Sequence, residues 1–435
     1  MPLGRYSLAR ALMDSAAMPL PFTSRRSPCV CAHGCIATSQ PLASEIGLRI
    51  LRQGGNAADA CVAAAAALNC TEPCQCGIGG DAFCLYYDAK TRRVRGLNGS
   101  GRAPAALDLP TARATGGPAG GPAKGNALDP ASVHCCTVPG AAAAWCDTVE
   151  RFGRLPLADV LAPAIALAEG GFPVNVIAAH VWAEEEHQLT SRWGPDWRTK
   201  GNPGAVALLK EDGRAPAAGE WMVMPELART FRALAEAGKS GFYEGRIAKA
   251  VVDTLRAHGG TMSEADLAAH TSTFDEPISA RFRGKTVYEL PPNGSGLIAL
   301  LALRLLEQLP EPAAGSDAAA HNTAPYLHRI IEALKLAFAD GTAAVCDPAA
   351  RAEAGLPPLP LDELLGDAYT HARAALIDEA RAAEEAVPGG ALAASLLFRA
   401  ASFAAKNGRF RVERNKPVCG REAVVPTAWA RPSPT

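Results

Sequence analysis

Apolar residues recur along this sequence with the period of helices over most of its length, and they alternate like strands in a few short runs. The segment from Tyr326 to Asp340 places its apolar side chains on one face, which predicts an amphipathic helix. Ser39 and Pro41 supply the start signals of another helix, and Gly54 ends it. The pattern therefore predicts a chain in which helices dominate.

A second helix is predicted to follow directly, from Ala57 to Asn69. Asn56 precedes it as the capping residue, and Asp59 stands three residues later in the capping-box position. Alanine or cysteine occupies nearly every side of this segment, so no polar face is left for solvent. We expect this helix to be packed all round, as a layer helix lying on a sheet.

Strands are marked at two places. The apolar run from Phe83 to Tyr87 and the residues Val94 and Leu97 flank a turn, which predicts a hairpin. The segment from Lys285 to Leu290 alternates as a strand and leads into a proline and glycine turn. Helices with a few strands predict a layered α/β or α+β architecture.

Composition and charge narrow the function classes. The 435 residues carry a formal net charge of −1, which removes any global electrostatic argument for nucleic acid or an anionic membrane. No stretch approaches the roughly 20 apolar residues of a spanning helix. Residues 1–24 are interpreted as a leader or an N-terminal extension, without the apolar core of a secretory signal. A cytoplasmic location is expected, with an organelle leader left open.

The chain contains 13 cysteines, and without a secretory signal we expect them to be reduced thiols. Two clusters, residues 29–35 and 70–76, hold three cysteines each, but neither has the spacing of a zinc site, and His33 is the single imidazole nearby. We expect no metal and no cofactor. The glycines of residues 77–80 lack the lysine of a phosphate-binding loop, so a tight backbone turn is the favoured interpretation.

Several short strings, in a fixed order, resemble the gamma-glutamyltranspeptidase family. Each string is short, but the ordered set covers roughly residues 25–390, which makes the resemblance specific. The strings are Ala37-Thr38-Ser39-Gln40-Pro41, Gly54-Gly55-Asn56-Ala57-Ala58-Asp59, Glu72-Pro73, Gly77-Ile78-Gly79-Gly80-Asp81, Gly153-Arg154-Leu155-Pro156, Gly241-Phe242-Tyr243-Glu244-Gly245, Glu276-Pro277-Ile278 and Leu336-Ala337-Phe338-Ala339-Asp340.

The resemblance implies an α+β fold, the four-layer αββα sandwich of N-terminal-nucleophile hydrolases. It also implies a mechanism in which a precursor cleaves itself before a threonine, giving a large and a small subunit. That threonine attacks a γ-glutamyl or related amide through its hydroxyl, with its own α-amino group as base. Water or an acceptor amine then resolves the acyl-enzyme.

The substrate expected from the resemblance is a small amide or carboxylate. The family's transpeptidases hold the substrate carboxylate with an arginine in a D-G-R-E-T-A-P string. Here the string begins at Asn98 and continues with Gly99, Ser100, Gly101 and Arg102. Ser100 stands where that arginine would be, a variant more similar to the oxamate-amidohydrolase-like branch. Gly99, Ser100 and Arg102 are therefore the predicted substrate-binding residues, with Arg102 as the carboxylate ligand.

The sequence departs from the family after residue 390. Where relatives continue with an acidic residue and the threonine, this chain has Ala391, Leu392 and Ala393. We therefore predict a large-subunit-like domain over residues 25–390 and a divergent, disordered tail over residues 391–435. The αββα sandwich would then be incomplete, because the small-subunit strands are missing. No catalytic residue is assigned, and the chain is expected to be inactive alone, as a truncated product, a spliced isoform or an incorrect gene model would be.

Two further interpretations stay open. The first is a non-catalytic protein that keeps the carboxylate site around Arg102, and the second is a large subunit completed in trans by a separately encoded small subunit. Neither nucleic acid nor a membrane is expected as a partner. Whether the chain is an enzyme is therefore left undecided by the sequence.

Overall fold

A computed structural model describes residues 29–117, 120–123, 128–317, 319–353 and 355–389 of the chain. The predicted leader over residues 1–24 and the predicted tail over residues 391–435 lie outside the described residues. Within the described part, the chain divides into two compact units. One comprises residues up to 86 together with 97–273, and the other comprises residues 87–96 together with those after 273.

The first unit holds most of the helices. These are α1 (Pro41–Arg52), α2 (Ala57–Thr71), α3 (Leu109–Thr115), α4 (Ala141–Phe152), α5 (Leu157–Gly170), α6 (Val176–Leu189), α7 (Pro225–Ala237), α8 (Ser240–Tyr243), α9 (Gly245–Ala257) and α10 (Glu264–Ala268). Its short strands β3 (Phe172–Pro173) and β4 (Trp221–Met222) pair antiparallel.

The hairpin predicted near residue 90 is present. Strand β1 (Ala82–Asp88) pairs with β2 (Arg93–Gly99) in a two-stranded sheet, and the turn between them contains Arg92 with a positive φ of 57°. The outer ends of the two strands belong to the first unit, whereas their turn belongs to the second. Strand β2 ends at Gly99, the first of the predicted substrate-binding residues, so the hairpin positions the segment that contains them.

The core of the first unit is built from α2, α4, α5 and α7, which pack on one another. Alanines on α2 allow close helix packing, and larger side chains such as Trp145, Phe172 and Phe231 fill the remaining space. Helix α2 is buried along most of its length, as its composition predicted. Ala57, at its start, and Cys61 are exposed.

The second unit is organised around two packed helices and one hairpin. Helix α11 (Gly296–Gln308) packs on α12 (Ala324–Ala344) and on the antiparallel pair β5 (Ile278–Phe282) and β6 (Lys285–Glu289). The short helices α13 (Pro348–Glu353), α14 (Leu361–Leu365) and α15 (Asp367–Ala374) complete it. Leu297, Leu301 and Leu364 lie in its core.

Local sequence rules placed several of these elements correctly. The predicted helices around residues 41–52, 57–69 and 326–340 and the strand at residues 285–289 are all present. Ser39 behaves differently from the prediction, because its Oγ donates to the Glu72 carboxylate at 2.6 Å, and Gln40 takes the capping position without a side-chain bond. Within the described residues the sheets are three separate two-stranded pairs. None of the described helices is long and apolar enough to cross a membrane.

Candidate functional site

The segment that follows β2 is held in place by backbone packing that only glycine permits. A Cβ atom on Gly99 would lie 2.4 Å from Cβ of Ala144, and one on Gly101 would lie 1.7 Å from the carbonyl oxygen of Val138. Gly140, at the start of α4, approaches the carbonyl oxygen of Gly99 in the same way. The alternating glycines thus let the segment lie directly against the beginning of α4.

Asp81 fixes the conformation of this segment from the other side. Its carboxylate accepts a hydrogen bond from the Ser100 hydroxyl at 3.0 Å and one from the backbone N–H of Gly101 at 2.9 Å. The Ser100 backbone N–H donates to Asn98 Oδ1 at 3.0 Å. The Ser100 hydroxyl proton is therefore used within the protein, which leaves the oxygen lone pairs of Ser100 for other contacts.

Arg102 carries the positive charge of the site. Its side chain is exposed, and its Nη1 donates to the carbonyl oxygen of Thr271 at 3.4 Å. No carboxylate in the described part of the chain lies within ion-pair distance of its guanidinium. Most of the five N–H donors of Arg102 are therefore free to bind an anion, and a planar carboxylate matches their geometry.

His270, the residue before Thr271, is buried next to this cation. Its ring stacks on Tyr243 with centroids 5.2 Å apart, and neither ring nitrogen has a hydrogen-bond partner among the described residues. Burial and the positive charge of Arg102 lower the pKa of His270 below its ordinary value. The imidazole is therefore neutral at pH 7, with one donor and one acceptor nitrogen.

Tyr243 connects His270 to the start of α4. Its hydroxyl donates to the carbonyl oxygen of Pro139 at 2.7 Å and accepts from the Ala143 N–H at 3.0 Å. Burial, as the largest cause, raises the pKa of Tyr243 far above its ordinary value, so the phenol stays protonated. The segment of residues 139–143, against which Gly99 packs, is thus held by a buried side chain.

The lowered pKa of His270 predicts a stability change with pH. Between its folded pKa and the ordinary value of 6.5, the unfolded chain binds the additional proton, so stability is lost as the pH falls below 6.5. The limiting slope for one proton is about 1.4 kcal/mol per pH unit. His270→Phe keeps the stacked ring and removes both nitrogens. We expect the unfolding free energy of this variant, measured with urea, to depend less on pH between pH 7 and pH 5 than that of the wild type. An unchanged pH profile in this variant would contradict the assignment.

The three predicted substrate-binding residues lie in one continuous segment of the first unit, at and just after the end of β2. Gly99 and Ser100 shape and fix the backbone, and Arg102 presents a guanidinium without an ion-pair partner in the described part of the chain. Asp81 and His270 are further residues of the site that were not assigned a role from the sequence. Asp81 lies in one of the quoted strings, which was an available signal, whereas nothing local marked His270.

The cysteine clusters do not form a metal site in the described structure. Cys29 and Cys31 are exposed with their sulfur atoms 3.7 Å apart, and Cys70 is buried, which raises its thiol pKa to about 12. No group of three or more histidine, cysteine, aspartate or glutamate side chains in the described ranges is arranged to hold a metal ion.

Comparison with known proteins defines the class to which this architecture belongs. The family model for gamma-glutamyltranspeptidase matches residues 43–407. The chain therefore belongs to the gamma-glutamyltranspeptidase family, whose members hydrolyse or transfer γ-glutamyl or other acyl amide groups. The resemblance stated from the ordered sequence strings is thereby confirmed.

The curated relatives are proenzymes of several amide-cleaving activities. The chain is 36% identical over 75% of its length to a glutathione hydrolase-like proenzyme of Bacillus subtilis, and it covers 57% of that protein. It is 32% identical to an acylase proenzyme of Pseudomonas, and the match covers 84% of this chain and 62% of the acylase. It is 33% identical to an oxamate amidohydrolase proenzyme of Klebsiella pneumoniae, and that match covers 73% of this chain and 56% of the relative. The chain thus spans less than two thirds of these relatives.

Solved structures agree on the fold. The cephalosporin acylase from Bacillus halodurans matches with a TM-score of 0.69 and 38% identity, covering 83% of this chain and 62% of that one. The gamma-glutamyltranspeptidase from Helicobacter pylori matches with a TM-score of 0.70 at 24% identity, covering 83% and 97%, which supports the fold alone. These neighbours are N-terminal-nucleophile hydrolases, consistent with the mixed α+β class expected from the sequence.

Proposed function

We propose that this chain is the substrate-carboxylate-binding part of a gamma-glutamyltranspeptidase-like amide hydrolase, and that it cleaves amides only when a small subunit is supplied. Arg102 carries this proposal, because it is an exposed guanidinium without an ion-pair partner in the described structure. It lies in the string that corresponds to the family's carboxylate-binding string. The complete four-layer sandwich would then form only in the assembled protein.

The charges around Arg102 support a monoanionic ligand rather than a dianionic one. Asp81 carries a negative charge close to Ser100, so a dianionic ligand that covered both residues would be repelled. A compact monocarboxylate with a neutral amide, such as oxamate, would place its carboxylate on Arg102 and its amide N–H groups toward acceptors such as the Ser100 oxygen. The relative that acts on oxamate is among those most similar to this chain.

A second observation supports a partner subunit. Strand β1 exposes Phe83 and Leu85 on one face, with 49% and 41% of their surfaces accessible to solvent. Neighbouring apolar side chains on an exposed strand face mark an interaction surface more often than isolated ones do. A small subunit that packs against this face in trans would cover it and would supply the catalytic threonine.

The test is a binding experiment followed by a turnover experiment. Purified chain is titrated calorimetrically with oxamate, and with oxamide as the matched neutral amide. We expect saturable binding of oxamate and none of oxamide, because only oxamate provides the carboxylate for Arg102. Absence of oxamate binding would contradict the carboxylate site.

Turnover is then measured as ammonia released from oxamate, whose hydrolysis breaks the amide C–N bond, consumes one water and gives oxalate. We expect no release by the chain alone, and release after mixing with a separately purified small subunit of a family relative. Ammonia release by the chain alone would overturn the claim that the nucleophile is missing. Binding without turnover in either mixture would favour a non-catalytic carboxylate-binding protein instead.

A further inference from the structure

The second unit contains a cavity of about 270 Å³, lined by residues from the end of β5, the carboxyl end of α11 and the beginning of α12. Two aromatic and three aliphatic side chains form its apolar wall: Phe282, Leu306, Leu309, Tyr326 and Ile330. Because an apolar cavity of about 150 Å³ is enough to hold benzene, this volume accommodates one aromatic ring with a small polar group.

Arg329, on α12, brings a guanidinium to the wall of this cavity. The residue is 8% exposed, and its Nη2 donates at 2.5 Å to the carbonyl oxygen of Pro310, which also lines the cavity. Nη2 lies 3.6 Å from the carboxylate of Glu379. Nε and Nη1 have no partner in the described part of the chain, and both stay accessible to solvent. Arg329 therefore has N–H donors left for a ligand.

Arg283 supplies a second guanidinium from the turn between β5 and β6. Its backbone has a positive φ of 47°, a conformation that costs free energy for most side chains and least for glycine and asparagine. The turn is fixed to α11, because the Arg283 N–H donates to the Glu307 carboxylate at 2.9 Å. Since asparagine suits such a turn better, an arginine here points to a use for its side chain.

The side chain of Arg283 is available for that use. Its guanidinium carbon lies 5.4 Å from the centre of the Phe282 ring, and Nη2 is 3.9 Å from the Glu311 carboxylate, which is beyond hydrogen-bond distance. Glu311 also lines the cavity, but its side chain is 80% exposed, so solvent screens its charge. The charged groups that line the cavity are thus two guanidinium groups and one solvent-screened carboxylate.

We propose that this cavity binds a small aromatic monocarboxylate, with the carboxylate accepting from Arg329 and Arg283 and the ring lying against the apolar wall. Guanidinium groups donate charge-assisted hydrogen bonds to carboxylates, and an aromatic ring suits a wall that contains Phe282 and Tyr326. The site has no residue in common with the carboxylate site around Arg102, and it does not depend on the proposed function.

The experiment uses the purified 435-residue chain and three planar probes of nearly equal shape that differ in charge. Sodium benzoate is compared with neutral benzamide and with cationic benzamidine by saturation-transfer NMR titration at constant sodium chloride concentration. We expect saturable binding of benzoate, binding of benzamide at least about tenfold weaker, and none of benzamidine, because the guanidinium groups select a negative charge. Acetate, which lacks the ring, should bind at least about tenfold more weakly than benzoate.

Two variants then locate the ligand. Arg283→Asn should weaken benzoate about three- to tenfold, and its urea midpoint should equal or exceed that of the wild type, because asparagine tolerates the positive φ. Leu309→Trp should weaken benzoate at least about tenfold by filling the cavity. Arg381→Asn is the matched control, because Arg381 is an exposed arginine of the same unit that does not line the cavity, and it should bind benzoate like the wild type.

A further pair of variants separates the two carboxylate sites. Arg329→Met should weaken benzoate at least about tenfold, whereas Arg102→Leu should keep the wild-type benzoate affinity. Because Arg329 is buried, circular dichroism checks that its variant is folded. If it is not, Arg283→Asn and Leu309→Trp decide the matter.

Three results would overturn the inference. Equal affinity for benzamide and benzoate would show an apolar cavity without charge selection. Wild-type benzoate affinity in folded Arg283→Asn and Leu309→Trp variants, or its loss in Arg102→Leu, would place the ligand elsewhere. No saturable binding of benzoate to the wild type would mean that the two arginines serve the structure alone.

Discussion

Replacing Asp340 with alanine should lower the free energy of unfolding of the second unit by roughly 3–5 kcal/mol, the cost of leaving one partner of a buried ion pair alone. Asp340 on α12 is 1% exposed and pairs with Arg373 on α15, which is 5% exposed. The pair is bidentate, with Nε–Oδ2 and Nη2–Oδ1 distances of 3.0 and 2.9 Å. The alanine variant leaves the guanidinium charge buried without a counter-charge.

The same pair also holds the last described segment of the chain. Asp340 Oδ1 accepts from the backbone N–H of Gly389 at 2.9 Å, and Arg373 Nη2 donates to the carbonyl oxygen of Val387 at 2.6 Å. A Cβ atom on Gly389 would clash with the Tyr369 hydroxyl and ring. Loss of Asp340 should therefore release residues 387–389 in addition to destabilising the helices.

Urea unfolding followed by circular dichroism measures the effect, and hydrogen exchange of the Gly389 amide reports the local release. Glu384→Ala is the matched control, because its ion pair with Arg381 has both side chains about four-fifths or more exposed, and it should be nearly silent. The double variant Asp340→Leu/Arg373→Met should recover much of the loss, since no unpaired charge remains. A loss below about 1 kcal/mol for Asp340→Ala would show that the pair behaves like a surface ion pair.

Arg102→Leu should weaken oxamate binding by about 10- to 100-fold, which corresponds to the loss of charge-assisted hydrogen bonds from the guanidinium. The variant should fold normally, because the side chain of Arg102 makes one long hydrogen bond to Thr271 and its backbone carbonyl still accepts from Val138. The oxamate affinity of Arg102→Lys should lie between those of the wild type and Arg102→Leu, because lysine keeps the positive charge but loses the two parallel N–H donors of the guanidinium.

Calorimetric titration with oxamate measures these affinities, and the urea midpoint confirms that each variant is folded. Arg246→Leu is the control for net charge. Arg246 is an exposed arginine on α9, and replacing it removes the same charge from the first unit. Equal oxamate affinity in Arg102→Leu and wild type would remove Arg102 from the site. A parallel loss in Arg246→Leu would assign the effect to overall charge.

Local sequence signals predicted the elements well where one residue interacts with a near neighbour. The capping box of α2 is present, with the Asn56 side chain accepting from the Ala58 and Asp59 N–H groups and the Asp59 carboxylate accepting from the Asn56 N–H. The same carboxylate is completely buried and also accepts from the Arg154 N–H at 3.0 and 3.1 Å. That second role joins α2 to the start of α5, and no local pattern contains it.

The amino-acid sequence by itself determined the family, the first hairpin, several of the helices, and the position of Arg102 just after a strand. These follow from periodicity, caps and ordered strings, which act over a few residues. The tertiary structure alone decided which side chains surround Arg102. Asp81, just before β1, fixes the neighbouring Ser100 and Gly101. Thr271, 169 residues away along the chain, accepts from the guanidinium beside the buried ring of His270. Such contacts depend on how helices and loops pack, because folding brings together groups whose separation in sequence carries no local signal.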